Sequence, residues 1–106
     1  MRFLDFLMPP DINQGIEDYL GTPGAVLLDV RTPEEYSAGH IPGSINLPLQ
    51  TIDNAASIID NKDTPLYVYC RSGARSRQAV SMLRHMGYVH VSNIGGIAAY
   101  SGKVER

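Results

Sequence analysis

The 106-residue sequence holds one cysteine, Cys70, at the end of the apolar run "PLYVYC", with Arg71, Gly73, Arg75 and Arg77 in the next seven residues. A lone cysteine on a strand is ordinarily a small inert hydrophobe. Three guanidinium groups, each costly to desolvate, have no part in that role, whereas a reactive thiol is expected in an electropositive, partly exposed setting. Residues 70–76, "CRSGARS", must turn sharply between a strand and a helix expected to start near Ser76, and Gly73 supplies the backbone freedom for the turn. Successive amides can then point inward at the positive end of a helix dipole and stabilise an anion. At the rim of such a nest the Cys70 sulfur would be held as thiolate, its pKa drawn below the ordinary value of about 8.5, with no histidine base required.

Other chemistries fit poorly. There is no G-x-G-x-x-G and no G-x-x-x-x-G-K-[ST], so "IGGIAAY" reads as a tight turn into a last helix and not as a nucleotide site. His40, His85 and His90 lack metal-ligand spacing, so no metal is expected. The cations near Cys70 come without interleaved aromatics, which disfavours nucleic acid as a partner. The opening "MRFLDFLM" is apolar, but Asp5 interrupts it and Pro9 and Pro10 close it, so neither a leader nor a membrane span is expected and the reading is cytoplasmic. One cysteine cannot form an internal disulfide or a C-x-x-C pair, which lends oxidising compartments no support.

Composition is that of one globular domain over residues 1–106, with 43% apolar and 19% charged residues. The net charge of −2 hides an asymmetry: residues 1–63 carry −7 and residues 64–106 carry +5, with no carboxylate between Asp63 and Glu105. Three of the six cations in the second part crowd beside the cysteine.

The elements that must position Cys70 are legible from periodicity. "PPDINQGIEDYL" has Ile12, Ile16, Tyr19 and Leu20 at helical spacing, with Asp11 as N-cap and Gln14 completing a capping box. "AVLLDV", residues 25–30, is a continuous apolar run of strand length, covered on both faces. "TPEEYSAG" is a short helix with Thr32 as cap, Pro33 at its first position, Glu35 bonding back to the cap and Gly39 ending it in the left-handed region. Pro42-Gly43 suits a type II turn before a short strand, "SINL", and residues 50–59 form a further helix. Then come the strand "PLYVYC", a helix with Ala79, Val80, Leu83 and Met86 inward and Gly87 as its stop, and a last strand, "VHVSNI". Strands alternating with helices predict an α/β fold, a small parallel sheet with helices on both faces, where ligands bind beyond the carboxyl ends of the strands. Cys70 lies at such an end.

With these residues in view, the sequence resembles the rhodanese, or sulfurtransferase, family. The resemblance is carried by "LLDVRTPEEYSAGHIPGSINLP", "YVYCRSGARS" and "GYVHVSNIGGIAAY", in the family's order and spacing over roughly residues 11–100. It implies a small α/β domain in which Cys70 forms a persulfide. Arg71, Ser72, Gly73, Ala74, Arg75 and Ser76 would then bind the transferred sulfur and its anionic donor, and Arg75 would meet the donor's charge. Asp29, Arg31, His40 and Asn46 match framework positions, with Arg31 able to pair with Glu35. The implied partners are a small anionic sulfur donor and a thiol or protein acceptor; no metal or organic cofactor is implied. Tyr100 departs from the tryptophan the family often has after the double glycine. The resemblance extends to a phosphatase branch, whose C-x-x-x-x-x-R loop is one residue longer and would need arginine where Ser76 stands. Sulfur transfer is therefore the better reading, with a non-catalytic docking domain as the alternative from another class.

Overall fold

The computed structural model describes residues 9–106, and the apolar opening "MRFLDFLM" lies outside them. Four parallel strands, β1 (Val26–Asp29), β2 (Ile45–Asn46), β3 (Leu66–Cys70) and β4 (Val91–Gly96), form one sheet in the order β2-β1-β3-β4. Its helices are α1 (Ile12–Leu20), α2 (Pro33–Ala38), α3 (Ala55–Ile58) and α4 (Ala74–His85). Among the described residues no helix is long and apolar enough to cross a membrane.

Both faces of the sheet are covered, as the unalternating strand sequences require. On one face Leu28, Val68 and Cys70 pack with Ala79, Val80 and Leu83 of α4, Ile52 and Tyr88. On the other, Leu27 and Tyr69 pack with Ile12 and Ile16 of α1, Ile41 and Ile94. The Tyr88 hydroxyl donates to the Ile59 carbonyl, which ties the loop before β3 to the end of α4. Met86 packs against the first cluster at its margin, and Gly87, at φ 107°, ends the helix as expected.

Local capping is partly as the sequence predicts. Thr32 and Glu35 form a reciprocal capping box at the start of α2, and Pro33 opens it. Asp11 caps α1 by accepting from the Asn13 and Gln14 amides, but the Gln14 side chain turns forward to Asp18 (3.0 Å), so that box is not closed. Gly39 ends α2 at φ 158° and ψ 130°, a positive φ but not the left-handed helical geometry expected. The Pro42-Gly43 turn forms, with Gly43 at φ 85° and the Ser44 amide donating to Ile41 O at 3.1 Å.

Three elements differ from the sequence reading. Residues 50–59 are not one helix: a 3-10 helix, Leu49–Asn54, with non-helical backbone at Thr51, precedes α3. The last strand begins two residues later than "VHVSNI" and runs through Gly95 and Gly96, because Val89 is exposed while Ile94 and both glycines are buried. Beyond it a 3-10 turn, Ile97–Ala99, stands in place of the expected last helix.

The framework residues interlock behind the sheet's carboxyl end. The Asp29 carboxylate accepts from Arg31 Nε (3.1 Å) and Nη2 (2.7 Å), and Arg31 Nη2 also donates to Gly39 O at 2.7 Å. The expected Arg31–Glu35 pair therefore does not exist: Asp29 is two residues away and fully buried, and it takes the guanidinium. Asn46 Nδ2 donates to Asp29 O and Arg31 O, holding β2 to β1, and the His40 ring stacks on Tyr36 at 3.7 Å.

Candidate active site

Cys70 is the last residue of β3, where the chain leaves the sheet and turns into α4. The helix starts at Ala74, two residues before the expected position, so the connecting loop is only Arg71, Ser72 and Gly73, while Ala74, Arg75 and Ser76 form the first helical turn. Gly73 is the N-cap at φ 103°, a conformation other residues adopt only at a cost, and its amide donates to Cys70 Sγ at 3.0 Å. Residues 70–76 thus close on the sulfur, placing it before the N-terminus of a 12-residue helix.

The sulfur is deeper than a rim position. Cys70 is 1% exposed, not partly exposed as the sequence suggested, because the loop is short enough to fold over it. Burial pushes the thiol pKa up. The Ser76 hydroxyl and the amides of Ser76, Gly73 and Ser72 outweigh that burial, and the net shift is downward, towards the thiolate. The sign is that of an activated cysteine: the nucleophilic form gains as pH rises through a value below the ordinary one.

The six predicted residues play different parts. Gly73 and Ser76 hydrogen-bond the sulfur, with Ser76 Oγ 3.4 Å from Sγ and fully buried, and Ser72 acts on it through its backbone amide. Arg71, Ser72 and Ala74 are at least partly exposed, and the Arg71 carbonyl accepts from Ala98 N at 3.1 Å, so the loop is held through its backbone. Arg75 faces α2, where Nη1 and Nη2 donate to Glu35 Oε1 (2.7 Å) and Oε2 (2.9 Å). The bidentate Arg75 guanidinium is the main influence that lowers the Glu35 pKa to about 2. A carboxyl depressed in this way adds stability above its ordinary 4.5 and loses it only as pH falls towards about 2, so the pair is intact in mild acid.

Two residues of the site escaped the sequence reading. Glu35 was legible as a helix cap but not as the partner of Arg75, 40 positions away. Asn93 accepts from Ser76 Oγ at 2.7 Å and donates to Gly73 O at 3.3 Å. An asparagine inside a strand, two residues before a double glycine, is the signal of a bulge that could have drawn attention to it.

The loop also rests directly on β4. A Cβ built at Gly96 would lie 2.6 Å from Ser72 Cα and against the Arg71 carbonyl, backbone that cannot swing aside. Gly96→Ala is expected to lower unfolding stability by about 1–3 kcal/mol, the range for overpacking, and to impair reaction at Cys70. Urea unfolding measures the first effect, and an unchanged midpoint would show that the loop can move away freely.

A family model for the rhodanese-like domain matches residues 13–103. The thiosulfate sulfurtransferase PspE of Escherichia coli is 42% identical over 71 residues, which cover 66% of this chain and 68% of that protein. A sulfurtransferase of Allochromatium vinosum is 44% identical over 81 residues, 76% of this chain and 75% of its own. A solved Escherichia coli structure described as rhodanese with anions superposes with a TM-score of 0.72 at 36% identity, covering 77% of this chain and 98% of that one. The match extends over the whole sheet and both sides of the Cys70 loop, and the chain belongs to the rhodanese-like domain family.

Proposed function

We propose that this protein is a sulfurtransferase that moves a sulfane sulfur from thiosulfate or a persulfide to a thiol or cyanide through a Cys70 persulfide. The observation that carries the reading is the Cys70 sulfur held by the Gly73 amide at the N-terminus of α4, in a chain whose relatives include sulfurtransferases. In the first step the Cys70 thiolate attacks the outer sulfur of thiosulfate. The sulfur–sulfur bond of the donor breaks, and sulfite leaves with its electron pair. In the second step the acceptor attacks the outer sulfur of the persulfide, and the electron pair of that bond returns to Cys70 as thiolate. Splitting one transfer into two is nucleophilic catalysis, and neither step requires a metal or organic cofactor.

Burial favours a reactant that presents a single terminal atom, because only such a group can enter a cradle that leaves Cys70 1% exposed. A sulfane sulfur does so; a phosphoryl group brings three oxygens. The closing arginine follows Cys70 by five positions, and the sixth is Ser76, so the cradle is small for phosphate. The acceptor is a thiol, free or on a protein, and the cytoplasm suits a lone cysteine that must stay reduced. A side-by-side assay of thiosulfate, glutathione persulfide and an aryl phosphate tests the reading. Sulfur transfer is expected to exceed phosphate hydrolysis, and faster hydrolysis would overturn it.

A further inference from the structure

At the carboxyl end of β3 the sheet register slips. Val68 pairs with Asn93 but Tyr69 pairs with Gly95, leaving Ile94 as an extra residue in β4. Such a bulge re-aims the side chains beside it. Here the Asn93 side chain bridges it, Oδ1 accepting from the Gly95 amide at 3.0 Å while also accepting from Ser76 Oγ at 2.7 Å. Nδ2 reaches Gly73 O.

The Ser76 hydroxyl has one proton and four takers: Asn93 Oδ1 at 2.7 Å, Gly73 O at 3.0 Å, and Cys70 Sγ and Gly95 O at 3.4 Å. With the proton on the shortest of these, a Ser76 lone pair faces Sγ and can accept from the neutral S–H. A thiolate has no proton to give, and it is stabilised only if the hydroxyl turns towards it. That turn leaves Asn93 Oδ1 still satisfied by the Gly95 amide, so no buried acceptor is orphaned.

We propose that Asn93 is a positioning residue for Cys70: its amide oxygen holds the Ser76 proton while Cys70 is a thiol and releases it to the sulfur when the thiolate forms. Asn93 touches neither Sγ nor substrate; it acts through Ser76. By competing for the hydroxyl, it keeps the thiol from ionising as far as the cradle alone would drive it. A thiolate of higher pKa is the stronger nucleophile, so the restraint favours attack on a donor.

The charged groups on the elements that hold the sulfur are Arg75 of α4 with its partner Glu35 of α2, the Asp29–Arg31 pair at the end of β1, and the exposed Arg71 and Arg77 on either side of the loop. β4 contributes no ionisable residue, and none of these groups is altered by a change at position 93 or 76.

The test is the ionisation of Cys70, the only thiol in the chain, measured as alkylation rate against pH with no sulfur donor present. The proposal rests on Cys70 as the reacting group, but this readout is independent of sulfur transfer, so the two can fail separately. Asn93→Leu is expected to raise the ionisation constant roughly 3- to 10-fold, the worth of one freed neutral hydrogen bond, and Ser76→Ala to lower it by a similar factor. In the Ser76→Ala background, Asn93→Leu should change it less than about two-fold, because the route from 93 to the sulfur is gone. If Asn93 only braces the loop, its loss moves the thiol in the opposite direction, with or without Ser76, and either result overturns the proposal. Should Asn93→Leu not fold, Asn93→Asp keeps Oδ1 and is expected to lower the constant, by less in the Ser76→Ala background; equal shifts in the two backgrounds would be decisive against it.

Discussion

Incubated with thiosulfate and desalted, the intact protein is expected to gain the mass of one sulfur atom, to lose it on addition of cyanide with release of thiocyanate, and to do neither once Cys70 is replaced by serine. The expectation rests on the downward shift of the Cys70 thiol, which the Ser76 hydroxyl and the amides of Ser76, Gly73 and Ser72 bring about against the cost of burial. A serine hydroxyl in the same place stays protonated at any assay pH and is a far weaker nucleophile for sulfur. Turnover should therefore fall to the uncatalysed level. The substitution should leave the fold in place, since the side chains are close in volume and a serine oxygen can accept the Gly73 amide that Sγ accepts. Intact-protein mass and thiocyanate release measure the chemistry, and thermal unfolding measures the fold. A Cys70→Ser protein that still turns over thiosulfate at the wild-type rate would remove Cys70 from the reaction. A wild type that takes up sulfur from no sulfane donor would leave the docking-domain reading in its place.

Arg75→Ala is expected to lower kcat/KM for thiosulfate by a factor on the order of 10 to 100, the worth of one charge-assisted contact. The structure gives this loss two parts. Arg75 carries a positive charge felt at Cys70, and it also neutralises Glu35, whose carboxylate it holds at 2.7 and 2.9 Å. Removing the arginine leaves that carboxylate without its ion pair beside the proposed donor site. The double variant Arg75→Ala/Glu35→Gln should accordingly recover several-fold of the loss, because the repulsion goes while the missing attraction stays missing. Glu35 owes its low pKa mainly to Arg75, so in Arg75→Ala the carboxyl returns towards its ordinary range; the gap between the two proteins should hold near neutral pH and narrow as acid protonates the unpaired carboxylate. Arg84→Ala serves as the control for diffuse charge, since its guanidinium lies at the other end of α4 and donates to Val91 O at 2.8 Å. Equal losses in Arg75→Ala and Arg84→Ala, or a double variant no better than the single, would show that the Glu35 pair has no part in donor binding.

Much of this arrangement is written locally in the sequence. The unalternating runs Val26–Asp29 and Leu66–Cys70 announce strands buried on both faces, because burying polar side chains there would cost more than the fold could recover. Thr32, Pro33 and Glu35 announce the start of α2, since each acts within one helical turn. Gly73 after a strand-terminal cysteine announces the turn that closes on the sulfur. These are short-range effects, and residue type with spacing determines them.

The partners of the charged and polar side chains were decided otherwise. Arg31 chose Asp29 over Glu35, Glu35 was left to meet Arg75 across 40 positions, and Asn93 came to the Ser76 hydroxyl only through the slip of β4 against β3. The depth of Cys70 belongs to the same class, for it depends on the loop resting against Gly96. By itself the sequence determined which residue is proposed to react and most of the elements that present it, since residue type, periodicity, capping and turn chemistry along the chain dictate both. Only the tertiary structure decided which hydrogen bonds surround the sulfur, because each needs two side chains within about 3 Å, and that distance is set by how the helices dock on the sheet.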